Sequence, residues 1–261
     1  MKSMPVIFIG HGSPMNMVLD NEYTRSLTAL RDRLPLPKAI VIISAHWQTS
    51  GTHITDSPNP RQIYDFYGFP QELYDIRYEP LGAPPVARKA HKLMGGEAEG
   101  VLLDDSWGDD HAGWAVLKFL YPNADIPITV ISVDMEAPAS RHATLAQRLA
   151  PLREEEVLIL ASGNIVHNLF DADLMNENAP PDQRGLRFDA LAKSALETGD
   201  LDSLVHYERW GGDARYSVPT RDHYLPLLWA AALKKEHDSV TFPCEVMQNR
   251  SVSMRSVVFG L

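Results

Sequence analysis

Four short apolar runs constrain this chain most: Val6–Ile9, Ala39–Ser44, Ile128–Val133 and Val157–Ala161. Each is shorter than a buried helix needs and is rich in Val and Ile, so each reads as a buried strand. Amphipathic stretches of helical length lie between them: Asn21–Leu34, with Leu27, Leu30 and Leu34 on one face, then Pro84–Met94, Trp114–Tyr121 and Ala139–Leu152. The alternation predicts an α/β fold, one domain over 1–261, with a central, mainly parallel or mixed sheet flanked by helices. The polar stretch Asp171–Arg184 reads as a surface loop leading into a helix over Arg187–Glu197. Near the end, Val240–Met247 and Val252–Phe259 flank Gln-Asn-Arg-Ser and read as an antiparallel hairpin or sheet edge. Thr49–Pro80 is rich in Pro, Tyr, Phe and Gly with weak periodicity, the composition of a binding loop or lid.

Composition narrows the function classes. With 44% hydrophobic and 22% charged residues, the chain is not disordered, collagenous or a coiled coil. A formal charge of −10 argues against nucleic acid as a general partner. The lone cysteine, Cys244, allows neither an intramolecular disulfide nor a Cys-based zinc site, and its neighbours place it in a strand as a buried thiol. No apolar run approaches 18 residues and no signal pattern is visible, so the expectation is a cytoplasmic protein with no membrane partner.

The ten histidines are the informative residues. His11, His46 and His167 each follow a predicted strand closely, and ligands of open α/β sheets bind beyond the carboxyl ends of the strands. His11 lies between Gly10 and Gly12, which allow a tight turn and close approach of a ligand. Trp47 follows His46 as a flat wall for an aromatic substrate. His167 lies in a polar turn, Ser162–Asn168, expected to open a helix. His111 sits beside Asp109 and Asp110, which are expected to orient its ring and raise its basicity. His223 stands at the start of a helix. His53, His91, His142, His206 and His237 read as structural. Converging imidazoles suit zinc, iron, copper or nickel. Ser13 and Ser162 are weak nucleophile candidates, because the chain has no Gly-x-Ser-x-Gly elbow; it also lacks a P-loop, a dinucleotide fingerprint and His-Glu-x-x-His.

Five motifs occur in a specific order: Gly10-His-Gly-Ser-Pro14, Ser44-Ala-His-Trp47, Trp107-Gly-Asp-Asp-His111, Ser162-Gly-Asn-Ile-Val-His-Asn168 and His223-Tyr-Leu-Pro-Leu227. Together they resemble the class III (LigB-type) extradiol ring-cleavage dioxygenases, most of all the bacterial and plant DOPA dioxygenase branch. The resemblance spans Ile9 to Phe259. It implies a non-haem metal centre that opens a catechol with O2 to a muconic semialdehyde. His11, His46 and His223 match metal ligands. His167 matches a histidine beside the metal, a fourth ligand or an acid/base, and His111 an acid/base. Fe(II) is implied for turnover, and an all-histidine shell also suits bound Zn²⁺. The wider class has a carboxylate at the third ligand position; Asp222 and Glu245 are weak substitutes for it here. After His111 the chain reads Ala-Gly-Trp where the family pattern has Gly first.

Trp47, Tyr67, Phe69 and Trp107 are the candidates for stacking on the substrate ring, and Arg221 or Arg61 for holding a substrate carboxylate. The expected partners are a small aromatic diol and O2, with the protein a monomer or homodimer. Two other readings use the same histidines: a zinc hydrolase, which needs a carboxylate base, and a metal-handling protein, which predicts a closed ligand shell with no pocket beside it.

Overall fold

The computed structural model describes residues 3–261. Among these described residues ten strands form: β1 Val6–Gly10, β2 Ala39–Thr49, β3 Thr52–Thr55, β4 Val101–Asp104, β5 Ile128–Asp134, β6 Val157–Gly163, β7 Val240–Cys244, β8 Met247–Gln248, β9 Val252–Ser253 and β10 Ser256–Phe259. Nine α-helices accompany them: α1 Glu22–Arg31, α2 Gln71–Tyr74, α3 Pro84–Met94, α4 His111–Leu120, α5 Ala139–Arg148, α6 Gln183–Thr198, α7 Leu201–Val205, α8 Gly212–Ser217 and α9 Leu225–Ala232.

Eight strands make one mixed sheet in the order β4-β3-β5-β2-β6-β1-β10-β7. Its centre, β5-β2-β6-β1, is parallel. These are the four apolar runs, and period-2 alternation splits each between two cores. Val6, Phe8, Val41 and Ile43 face α3, α5, α6 and α9. Ile7, Ile9, Ile40 and Ile42 face α1 and α4. Helices thus cover both faces, as an apolar parallel sheet requires.

The terminal β-rich runs pair antiparallel, β10 with both β1 and β7, so β7 is an edge strand and Cys244 a buried thiol on it. The expected hairpin is interrupted: Met247–Gln248 and Val252–Ser253 peel off as a separate two-stranded ribbon. β3 and β4 are additions to the reading of the sequence. They are four residues each, and β3 lies inside the Thr49–Pro80 segment that carries little periodicity. The next helix after His167 begins only at Gln183, so the turn at Ser162–Asn168 opens no helix; His167 instead bridges to Val252.

Candidate metal centre and active site

Three chain segments end at one place. β1 and β6 pair to Gly10 and Gly163, where both stop. β2 leaves β6 after Ser44 and runs on to Thr49 beside β5, and His46 lies in the bulge between the paired residues Ile43 and Gln48. His11 is the first residue past β1, and its N–H donates to the Gly163 carbonyl at 3.1 Å. The loop carrying His223 is pinned to the same edge: the Asn164 N–H donates to the His223 carbonyl at 2.9 Å. Two glycines make this crowding possible. A Cβ on Gly163 would lie 2.2 Å from the His223 carbonyl oxygen, and one on Gly10 would lie 2.7 Å from that of Ser253.

The result is a tripod. His46 Nε2 lies 3.1 Å from His11 Nε2 and 3.2 Å from His223 Nε2. Each Nδ1 is engaged on the outer side, His11 with Ser162 Oγ at 3.0 Å, His46 with Asp65 Oδ2 and His223 with Asp222 Oδ2. An Nδ1–H that donates to a carboxylate leaves the Nε2 lone pair free. Nε2 lone pairs aimed at one point repel one another unless a cation lies between them. Nitrogens about 2.1 Å from a shared ion and 3.1–3.2 Å apart subtend about 97° at it, an ordinary ligand angle. The donor set therefore fits a divalent metal, with carboxylates behind two of the three ligands.

The electrostatics agree. Burial opposes charge on His46, but the Asp65 hydrogen bond and the charges of Asp110, Asp65 and Asp222 outweigh it and raise its pKa. Burial, then the charge of His46, pushes His11 well below its ordinary value. Burial also outweighs Asp222 at His223 and lowers it. Asp65 resists burial through its bonds to His111 and His46, which hold its carboxyl below the usual range.

Two further histidines face the same cavity. His111 is the first residue of α4. Its Nδ1 and its backbone N–H both bond Asp65, each at 2.9 Å. Its orienting carboxylate is thus Asp65, not a neighbour in sequence. Asp110 instead caps α4 and accepts from Ser44 Oγ and Trp107 Nε1. Asp109 is buried with neither carboxyl oxygen partnered, and burial, then the charges of Asp110 and Asp65, raises its pKa well above the ordinary value. The expected gain in basicity at His111 is reversed: burial and the charge of His46 outweigh Asp65 and pull its pKa down to about 4. The Ala-Gly order after His111 fits this packing, because a Cβ on Gly113 would lie 2.0 Å from Asp109 Oδ1.

His167 stacks on His223, with centroids 3.5 Å apart and planes inclined by 11°. Three sets of side-chain donors each converge within 4.8 Å: His11, His46 and His223; His46, Asp65 and His111; and His167, Asp222 and His223. Burial, then the charge of His223, lowers the His167 pKa to about 2. Asp222 Oδ2 bonds His223 Nδ1. Glu245 is remote from the tripod, paired with Lys193 and Arg255.

The cavity beside the tripod measures about 280 Å³. Of the aromatic candidates, Phe69 lines it. Trp47 is buried in the core and stacks on Trp107 with their planes 2° apart, so the pair forms a wall behind the site. Tyr67 is 90% exposed. Phe66, which no pattern in the sequence singled out, lines the cavity and meets His111 edge to face. The Arg221 guanidinium is turned away, donating to the carbonyls of Met135 and Ala137, and Arg61 is not among the lining residues. His142 is structural: it bonds the Asp134 carbonyl and accepts from Trp229 Nε1.

Comparison with known proteins agrees with this architecture. Residues 5–260 match the model of the catalytic LigB subunit of aromatic ring-opening dioxygenase. The chain is 42% identical to the 4,5-DOPA dioxygenase extradiol of Escherichia coli (strain K12), over 98% of this chain and 95% of that one. It is 34% identical to the 4,5-DOPA dioxygenase extradiol of Beta vulgaris, over 84% and 83%. The crystal structure of an uncharacterized Escherichia coli K12 protein superposes with a TM-score of 0.85 at 36% identity, covering 98% of this chain and all of that one. Sequence, fold and histidine tripod converge on one conclusion: the chain belongs to the LigB family and is a ring-cleavage dioxygenase of the extradiol type.

Proposed function

We propose that the protein opens the ring of a catechol with O2 at the His11–His46–His223 tripod, giving a muconic semialdehyde. The observation that carries this is an open arrangement: three lone pairs converge beside a cavity that two non-ligand imidazoles also face. A closed metal-handling shell has no such cavity. A hydrolase needs a carboxylate base, and the nearby Asp65 and Asp222 already accept from imidazole Nδ1.

Fe(II) bound by the three Nε2 atoms would supply the electron transfer between ring and O2 that catechol alone undergoes slowly. Zn²⁺ would fit the same nitrogens without that redox chemistry. His111 enters neutral, its Nδ1–H on Asp65, with Nε2 left to accept a catechol proton; the imidazolium that forms is stabilised by the Asp65 carboxylate. His167 stays neutral over His223 and offers an N–H hydrogen bond to a substrate oxygen. Phe66 and Phe69 contact the ring. The relatives named for DOPA make L-DOPA the natural first assay substrate. We place the enzyme in the cytoplasm as a monomer or homodimer.

The test uses metal-stripped protein reloaded anaerobically with Fe(II). L-DOPA or a simpler catechol is then added with air. O2 uptake matched by a yellow ring-opened product is expected; no uptake with any catechol refutes the proposal. His111→Gln is expected to lower kcat by about 10²-fold or more, while retaining bound metal.

A further inference from the structure

The walls of the cavity carry information about the substituent on the catechol. Above the histidine floor the lining is apolar, including Pro14, Phe66, Phe69, Leu169, Leu174 and Val252. Two other polar side chains line it: Ser13, whose Oγ accepts from the Met15 N–H, and Asn249, whose Nδ2 donates to the Asp173 carbonyl. Among the described residues, no Lys or Arg lines the cavity. The arginines adjacent in sequence to lining residues or their loops are committed elsewhere. Arg221 is bound to two backbone carbonyls, and Arg250 to Asp171 and Asp182. The apolar character continues outward: Leu169 and Leu174 are more than half exposed at the mouth, next to the nearly bare Phe170 and Met175.

We propose that this cavity selects catechols with an uncharged, apolar ring substituent over catechols that carry a carboxylate. The inference rests on the ring-opening reading above and specifies the substrate class. With the diol against the histidines, a substituent passes between Phe69 and the pair Leu169 and Leu174. An alkyl group there buries apolar surface. A carboxylate there loses water and gains no cationic partner among the lining residues.

The experiment compares 4-propylcatechol with 3-(3,4-dihydroxyphenyl)propanoate and L-DOPA on the Fe(II)-loaded enzyme. We expect kcat/KM for 4-propylcatechol to exceed that for the propanoate by about tenfold or more, the gap lying in KM. Anaerobic calorimetry on the metal-loaded protein should give the same order in Kd. The variant Leu174→Arg, at an exposed position, should move the ratio about tenfold toward the propanoate. Equal kcat/KM and Kd for the two ligands in the parent enzyme, or a ratio that Leu174→Arg leaves in place, overturns the inference. If no catechol is turned over, the ring-opening reading fails, and the Kd order alone still decides the selectivity.

Discussion

Replacing Asp65 by Asn tests whether the carboxylates behind the tripod set its metal affinity. Asp65 Oδ2 accepts from His46 Nδ1 and from His111 Nδ1, and Oδ1 accepts the His111 backbone N–H. Asn presents one oxygen and one NH2. The oxygen can keep the backbone bond that holds the start of α4, so the fold survives. The NH2 then faces two Nδ1 atoms as a donor, which favours the opposite tautomer and puts a proton on Nε2, where the metal binds. Losing one hydrogen bond to a charged acceptor costs about 2 kcal/mol, which is about 30-fold in affinity. That agrees with the roughly 10–100-fold effect typical of groups that orient ligating histidines. Ser162→Ala removes only a neutral partner of His11, worth about 1 kcal/mol or roughly fivefold. Competition for Zn²⁺ against a chromophoric chelator measures both. The expected order of affinity is parent, then Ser162→Ala, then Asp65→Asn. Asp65→Asn protein within threefold of the parent would refute the argument.

Other substitutions separate ligands from scaffold. His11→Ala or His46→Ala should lose most bound metal while His142→Ala keeps it; equal metal content in all three, measured by atomic absorption, would contradict the tripod. Gly163→Ala should weaken metal binding without touching a ligand, because its Cβ would meet the His223 carbonyl; overpacking of about 1–3 kcal/mol should lower Tm by several degrees, and unchanged Tm and affinity would refute this. His142 gives a pH prediction. Burial lowers its pKa to about 4 despite the bond to the Asp134 carbonyl. Between pH 6.5 and 4 the unfolded chain takes up a proton that the folded one refuses, so stability is full above this window and falls as pH drops through it. The loss approaches about 3 kcal/mol. In His142→Gln, denaturant midpoints across that range should flatten by a comparable amount, and an unaltered slope would count against the assignment.

Much of this was legible locally. Runs of Val and Ile between amphipathic stretches specify buried strands and flanking helices, because strand and helix periods are properties of neighbouring residues. Five short histidine-bearing motifs in order carried the resemblance to the family before any distance was known. The site's other members were hidden for a physical reason. Asp65 and Phe66 lie in an irregular segment, and Asp65 acquires its role only when the fold brings it to His46, 19 residues away, and His111, 46 residues away. His111 looked basic beside two acids, yet burial reverses the effect of charge, and burial is a property of the packed chain. Trp47 follows a ligand in sequence, but in the extended strand successive side chains point to opposite faces, which sends it into the core against Trp107. His167 carries the same kind of motif as the other site histidines, and its stacking on His223 arises only in the fold. The sequence by itself determined the sheet, its helical layers and the identity of the imidazoles. The tertiary structure decided which of them converge, which carboxylates orient them, and that the walls above them are apolar and free of cations among the described residues, because those facts depend on contacts between segments far apart in the chain.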